Sequence, residues 1–148
     1  MPIKIVPAGD ILADDADAIV VPVNTVGVMG KGLALQVARR YPSILSIYKA
    51  ALRSKQLEIG KVYVVSHPLM ILFPTKADWR NPSQLEYIQA GLVSLTEAIA
   101  KQGLRSVAVP ALGCGLGGLD WHQVRAEIEA ALASTSADIR LYTPKEGG

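Results

Sequence analysis

Apolar residues recur along this chain in two patterns, short continuous runs and longer segments with helical spacing. The short runs are rich in Val and Ile, which favours strands, and several are apolar almost throughout. A strand covered on both faces of a sheet requires such a run. This pattern predicts strands at residues 3–6, 18–23, 61–66, 70–73, 106–110 and 139–142, with a turn at His67-Pro68 joining the third strand to the fourth.

The longer segments repeat their apolar residues every three or four positions, which predicts amphipathic helices. The clearest one spans residues 84–101, and Gly103 is suited to end it. Further helices are predicted at 31–40, 43–54 and 121–132, with Ser43 and Asp120 as N-caps of the last two. Strands that alternate with helices predict the α/β fold class.

Composition supports a single compact domain over residues 1–148, since half of the residues are hydrophobic and 19% are charged. No apolar run approaches the roughly 20 residues that cross a bilayer, and the first residues lack a signal-peptide layout. We therefore expect a soluble, cytoplasmic protein without membrane contact. The polar tail at 143–148 suggests that this domain is the N-terminal part of a longer chain.

Charge and cysteine content narrow the chemistry only slightly. A net charge of +2 neither demonstrates nor opposes an anionic partner. The single cysteine, Cys114, cannot form an internal disulfide, and with only two histidines in the chain we expect no metal site.

Two glycine-rich loops, at 24–32 and 111–120, each follow a predicted buried strand and precede a predicted helix. Glycine lets the backbone approach a ligand, and the N–H groups at a helix N-terminus attract anions. The first loop is not the Walker A loop of a nucleoside triphosphatase, because Lys31 is followed by Gly32 instead of Ser or Thr. The second loop contains G-x-G-x-x-G, but only one strand follows it, which excludes a Rossmann domain. Two such loops at strand ends predict a shared phosphate-containing ligand.

Lys76 is the strongest candidate for chemistry, in a polar loop predicted at 74–83 directly after a buried strand. An amine in a partly buried pocket can lose its proton and attack an aldehyde-like carbon as a Schiff-base nucleophile. The alternative is an ordinary solvated lysine, the commoner fate of this residue type. Lys31 is a weaker candidate, as a phosphate cation.

Three further polar residues at predicted strand ends each admit two interpretations. Asn24 offers an amide to ligand hydroxyls or satisfies a turn, and we favour the ligand. Asp10 accepts a hydrogen bond from an adenine amino group or caps a turn. Tyr142 stacks on a base or completes the core.

Trp79 and Arg80 are suited to stack on and charge-pair a nucleic acid strand at the pocket rim. The alternative, a loop anchor packed on the core, stays open. Cys114 lies between two glycines without an evident histidine partner, so we favour a space-filling role over a nucleophile.

The order of these motifs resembles a macrodomain, the ADP-ribose-binding module, over essentially the whole chain. The resemblance rests on Gly9-Asp10-Ile11, the strand 18–23 that ends at Asn24, the loop 27–32 and the run 110–118. Within the family, the segments 24–34 and 73–80 most resemble the DarG antitoxin branch, which also contains the terminal ADP-ribose glycohydrolase.

This resemblance implies a three-layer α/β/α sandwich on a mixed sheet. Lys76 occupies the catalytic lysine position of that branch. Adenine would lie at Asp10 and Ile11, and the distal ribose near Asn24. The implied ADP-ribose-binding residues are Asp10, Ile11, Asn24, Gly27, Val28, Met29, Gly30, Gly32, Thr75, Leu112, Gly113, Cys114, Gly115, Leu116, Gly117, Gly118 and Tyr142.

The implied reaction is removal of ADP-ribose from thymidine bases of single-stranded DNA, without metal or redox cofactor, as the antitoxin to a DarT-type toxin. That toxin would bind a region outside this chain. One departure is that the glycohydrolase relatives place an acidic residue where this chain has Gly117. Two alternatives stay open, a non-catalytic ADP-ribose reader and a hydrolase of protein ester-linked ADP-ribose.

Overall fold

The computed structural model describes residues 3–7 and 9–144. Within that part, the strands are β1 (Ile3–Val6), β2 (Ala18–Asn24), β3 (Tyr63–Ser66), β4 (Leu69–Lys76), β5 (Ser106–Val109) and β6 (Asp138–Tyr142). The α-helices are α1 (Gly32–Arg40), α2 (Pro42–Arg53), α3 (Leu85–Gln102) and α4 (Trp121–Leu132). Each predicted strand and helix is thus present with small shifts of its ends. Residues 145–148 of the predicted polar tail lie outside the described residues.

The strands form one sheet in the order β1-β6-β5-β2-β4-β3. Every neighbouring pair is parallel except β3 and β4, which form an antiparallel hairpin at the predicted turn, with Ser66 opposite Leu69. The mixed sheet is therefore confirmed. Since β1, β2, β4, β5 and β6 all point the same way, their carboxyl ends share one edge of the sheet.

Helices cover both faces of this sheet. On one face, α3 and α4 bury Leu92 and Ile128 against alternate strand residues such as Val20 and Phe73. On the other face, α1 and α2 bury their apolar sides, including Val37, against the remaining set of strand residues. Strand side chains alternate between faces, so the continuous apolar runs fill two cores at once. The three-layer α/β/α sandwich is confirmed.

The helix ends follow local chemistry. The prediction that Ser43 caps the second helix is wrong, because α2 begins with Pro42 at its first position, where the missing N–H costs nothing. Gly103 ends α3 with a φ of 63°, as predicted. The Asp120 carboxylate accepts from the Gln123 N–H at 3.1 Å and caps α4, also as predicted. No helix among the described residues is long and apolar enough to span a bilayer.

The predicted polar loop at 74–83 begins too early, because β4 continues through Lys76. β2 pairs with β4 to this point, with Asn24 opposite Lys76. The partner on the other side, β3, stops pairing at Leu72. Pro74 therefore leaves no ladder bond unmade on that side, which is why a proline is tolerated there. Lys76 consequently stands on a strand instead of a loop.

Candidate functional site

The carboxyl ends of the five parallel strands open into one cleft with a volume of about 1280 Å³. Each of these strands contributes a residue at or just after its carboxyl end to the lining of the cleft. These residues are Pro7 after β1, Tyr142 in β6, Pro110 after β5, Asn24 in β2 and Lys76 in β4. Ligands of α/β sheets gather at this edge. The cleft is therefore the candidate site.

Most of the predicted site residues line the cleft, namely Asp10, Ile11, Asn24, Val28, Gly30, Gly32, Thr75, Lys76, Trp79, Arg80, Gly113, Cys114, Gly115, Leu116, Gly117 and Tyr142. Four do not. Met29 and Leu112 are buried in the two cores. Gly27 faces α2, and Gly118 turns the chain toward α4. These four positions therefore lie in the cores or in the turns behind the cleft wall instead of on it.

Asn24 organises the first glycine loop. Its Oδ1 accepts from the N–H groups of Val26, Gly27 and Val28 at 3.1, 3.2 and 3.3 Å, and its Nδ2 donates to the Val28 carbonyl at 2.7 Å. The amide therefore fulfils the turn role that the sequence left as the second choice. One Nδ2 proton remains for a ligand.

Tyr48, on α2, supports Asn24 from below and was missed by the sequence analysis. Its buried hydroxyl lies 2.7 Å from both the carbonyl oxygen and the Oδ1 of Asn24. Burial raises the pKa of Tyr48 to about 12, so this hydroxyl stays protonated and donates. A tyrosine on the apolar face of a helix was the available signal, since a buried hydroxyl requires a partner.

The N-terminus of α1 lines the cleft directly after the first glycine loop. Gly32 has a φ of 59°, a backbone conformation that favours glycine, and Leu33 and Ala34 of the first turn also line the cleft. The first N–H groups of a helix have no partner within it. This turn therefore presents donors and a partial positive charge, as an anion requires.

The second glycine loop forms the opposite wall. Gly113 and Gly115 have φ values of 74° and 64°, and a Cβ at Gly113 would lie 2.7 Å from Leu119 Cδ1. Burial, with a smaller contribution from the Asp120 charge, raises the pKa of the Cys114 thiol to about 11. A protonated thiol is a poor nucleophile at neutral pH, which agrees with a space-filling role.

Lys76 reaches across from the sheet to this second loop. Its Nζ donates to the Leu116 carbonyl at 3.0 Å, while the Leu116 side chain is 63% exposed at the mouth of the cleft. The backbone carbonyl of Lys76 accepts from the Thr25 N–H at 3.1 Å. One residue thereby links both glycine loops, with its amine inside the cleft.

Ser83, the last residue of the loop predicted at 74–83, lies directly behind Gly117. Its N–H donates to the Gly117 carbonyl at 2.9 Å, and its hydroxyl is buried without a hydrogen-bond partner among the described residues. A Cβ at Gly117 would lie 2.7 Å from Ser83 Oγ and 3.8 Å from Lys76 Cε. Ser83 therefore occupies the space that a side chain at position 117 would need.

An ion cluster fixes the other end of the cleft. The Asp14 carboxylate accepts from the Tyr142 hydroxyl at 2.5 Å and also pairs with Arg140. Burial alone would raise the pKa of the Asp14 carboxyl, but the hydrogen bonds from Tyr142 and Arg140 bring this pKa below its usual value. Burial and the bond to Asp14 raise the pKa of Tyr142 to about 12. The Tyr142 ring, 3.6 Å from where a Cβ at Gly9 would lie, is thus held beside the cleft.

Asp10, nearby, accepts from the Leu12 N–H at 3.0 Å through Oδ1 and caps a 3₁₀ turn at Ile11–Ala13. This is the second of the two roles that the sequence allowed for Asp10. Ile11 follows it into the cleft wall.

Trp79 and Arg80 form the rim beside Lys76. The indole is 49% exposed, with the Arg80 guanidinium 5.6 Å from the ring centroid. Arg80 also forms a bidentate pair with Asp78, at 3.0 and 2.7 Å, and its hydrogen bonds lower the pKa of Asp78 to about 2. The rim therefore presents an aromatic ring, Trp79, beside a guanidinium, Arg80, whose charge is partly neutralised by Asp78. Within the described ranges, His, Cys, Asp and Glu nowhere gather in threes as a metal site would require.

A model of the Macro domain family matches residues 20–128. The chain belongs to the macrodomain family. This macrodomain is 44% identical to the "DNA ADP-ribosyl glycohydrolase" of Mycobacterium tuberculosis over 95% of its own length and 42% of that protein. It thus spans about two fifths of the length of the curated relatives it matches.

Solved structures agree. The macrodomain of Mycobacterium tuberculosis DarG superposes with a TM-score of 0.91 at 43% identity, covering 96% of this chain and 99% of that one. Thermosipho africanus DarTG in complex with ADP-ribose superposes with a TM-score of 0.91 at 37% identity, covering 97% of this chain and 42% of that one.

Proposed function

We propose that this macrodomain is an ADP-ribosyl glycohydrolase that removes ADP-ribose from thymidine bases in single-stranded DNA. The observation that carries the proposal is the placement of Lys76, whose amine enters the cleft between the two glycine-rich loops. Its similarity to a protein named DNA ADP-ribosyl glycohydrolase supports the same assignment.

Within the cleft, the two loops bind the diphosphate. The first turn of α1 supplies N–H donors on one side, and the loop of Gly115 and Gly117 approaches closely on the other. In this proposal the adenine binds at the end lined by Asp10 and Tyr142, and the distal ribose binds beside Asn24 and Lys76, which lie opposite each other on β2 and β4.

Lys76 is the catalytic residue of this proposal. The bond from the anomeric carbon to the ring oxygen opens as that oxygen takes a proton from water, and the neutral Lys76 amine adds to the anomeric carbon. The bond from that carbon to the base then breaks, and the base leaves with a proton from the added amine. Water then hydrolyses the resulting iminium, which releases ADP-ribose and restores the amine. The second route that we retain is polarisation of an oxocarbenium-like ribose by the ammonium group, with water as the nucleophile. Neither route draws on a metal or a redox cofactor.

Gly117 removes the acidic assistant that the resemblance led us to expect. A carboxylate there would collide with Ser83, since even the Cβ would lie 2.7 Å from the Ser83 hydroxyl. We propose that Lys76 acts with backbone groups and water alone.

We further propose the biological setting as an extension of this activity. The chain would be a cytoplasmic antitoxin module, residues 1–148 forming one macrodomain of a longer protein that meets a DarT-type toxin through another region. The similarity to a structure titled DarTG supports this setting.

The experiment is a comparison of substrates. The protein is incubated with ADP-ribosylated single-stranded DNA and with proteins carrying glutamate- or aspartate-linked ADP-ribose, and free ADP-ribose is quantified over time. We expect fastest release from DNA. Faster release from the protein esters would assign the ester-hydrolase function, and tight ADP-ribose binding without any release would assign a reader.

A further inference from the structure

Basic residues are concentrated on one face of this protein. Residues 18–57 include six Lys and Arg but no Asp or Glu, which leaves nine cations against thirteen acidic residues in the rest of the chain. The six, all on or next to α1 and α2 and all exposed, are Lys31, Arg39, Arg40, Lys49, Arg53 and Lys55. A net charge of +2 conceals this asymmetry.

These six cations are not engaged with acidic side chains. No salt bridge formed within residues 3–7 and 9–144 includes any of them. The opposite face differs, because α3 and α4 carry four Glu against one Lys and one Arg, and Arg125 there pairs with Glu129. Since unpaired charges of one sign create a field that attracts a polyanion, the α1–α2 face is suited to one.

The basic face is continuous with the cleft. Lys31 lines the cleft itself, and Arg39 and Arg40 line a shallow groove that shares Asp10 with it. On α2, the stem of Lys49 packs behind the first glycine loop, 3.8 Å from where a Cβ at Gly27 would lie. Arg53 follows one helical turn later on the same side.

The first glycine loop lies between the cleft and Lys49, because Asn24 and Val28 line the cleft while Gly27 faces Lys49 on α2. Val26 and Val28 of that loop are large apolar residues exposed to solvent. The loop therefore leaves an exposed path from the proposed position of the distal ribose, beside Asn24, toward the cations of α2.

We propose that the α1–α2 face binds the phosphate backbone of single-stranded nucleic acid, with Lys49 and Arg53 as its contacts behind the first glycine loop. The choice of nucleic acid as the partner rests on the proposed function, while the charge distribution alone establishes only a polyanion. Such contacts add affinity without sequence preference, because they are made to phosphates.

The test measures binding without turnover. A fluorescein-labelled oligothymidylate lacking ADP-ribose is titrated with wild type, with Lys49→Gln/Arg53→Gln and with the matched control Lys101→Gln/Arg105→Gln. The control removes two exposed cations elsewhere. We expect ~tenfold weaker binding for the first variant and a salt dependence reduced by about 0.7 in log–log slope per lost phosphate contact. The control should bind within about twofold of wild type.

Three results overturn the proposal, namely no binding by wild type at low salt, equal losses in both variants, and competition by polyglutamate as strong as by unlabelled oligothymidylate. The last would assign an acidic protein partner to this face. Because the probe carries no ADP-ribose, a protein without glycohydrolase activity can still pass this test. If the activity is present, Lys49→Gln/Arg53→Gln should raise KM for modified DNA and leave kcat unchanged.

Discussion

Lys76 lies opposite Asn24 at the last paired position of β2 and β4, directly after an irregularity in the register between Val23 and Asn24. The irregularity skips Thr75, so Lys76 is brought level with the residue that organises the first glycine loop. The Lys76 amine and the first glycine loop are thereby built on adjacent strands of the buried sheet. Sites on such elements hold their geometry better than sites on loops.

Tyr48→Phe tests the support of that loop. Losing the hydroxyl leaves the buried Asn24 amide short of a donor, which we expect to cost about 1–2 kcal/mol of unfolding free energy. Affinity for ADP-ribose should also fall. Urea denaturation and calorimetric titration measure the two effects. Tyr63→Phe is the control, because the Tyr63 hydroxyl has no hydrogen bond within the described part of the chain, and equal losses in both variants would contradict this role for Tyr48.

Gly117→Ala tests the packing of Ser83 behind the second glycine loop. The added Cβ would meet the Ser83 hydroxyl at 2.7 Å, so we expect a loss of about 1–3 kcal/mol. Adding Ser83→Gly should recover part of that loss, and a double-mutant cycle of urea midpoints quantifies the coupling. Gly30→Ala should be milder, since its nearest contact is a valine methyl group at 3.2 Å. If the free-energy changes of Gly117→Ala and Ser83→Gly simply add in the double mutant, Ser83 does not occupy this space.

Asp14→Asn tests the ion cluster beside Tyr142 through pH. The folded-state pKa of Asp14 is lower than its ordinary value of 3.8, so its contribution to stability is present above 3.8 and is lost as pH falls through the folded-state pKa. We expect the variant to be about 2 kcal/mol less stable at pH 7, the typical worth of hydrogen bonds to a charged group. The difference should shrink toward pH 2. A difference that is constant from pH 7 to pH 2 would refute the electrostatic account.

Cys114→Ala should leave turnover within about twofold of wild type. Its thiol, with a pKa raised to about 11, should react with a maleimide more slowly at pH 7.5 than free cysteine does. A loss of turnover as large as that of a Lys76 variant would make Cys114 a nucleophile after all.

Local patterns predicted the strands and helices well, because continuous apolar runs and amphipathic spacing can both be recognised from residues close together in the sequence. They failed at β4, where Pro74 resembles a strand breaker. Only the pairing of the two strands shows that β3, which begins at Tyr63 opposite Leu72, does not extend alongside Pro74. Long-range contacts were likewise invisible. Ser83 meets Gly117 from 34 positions away and Asp14 meets Tyr142 from 128, and the chain carries no local sign of either meeting.

Two of the residues with open alternatives, Asn24 and Asp10, show why a residue type alone does not fix a role. Both side chains form the turn contacts that compete with ligand contacts in any short polar side chain. The sequence located them at the cleft correctly, but the hydrogen bonds that they make depend on how the following loop folds back.

Release of ADP-ribose from an ADP-ribosylated single-stranded oligonucleotide shows whether the Lys76 amine performs the chemistry. Wild type and Lys76→Ala are assayed in parallel, with ADP-ribose affinity measured on both proteins. We expect Lys76→Ala to lose at least ~100-fold in turnover, the lower range for positioned catalytic groups, while it binds ADP-ribose about as tightly. Unchanged turnover in Lys76→Ala would show that its amine is not the catalytic group.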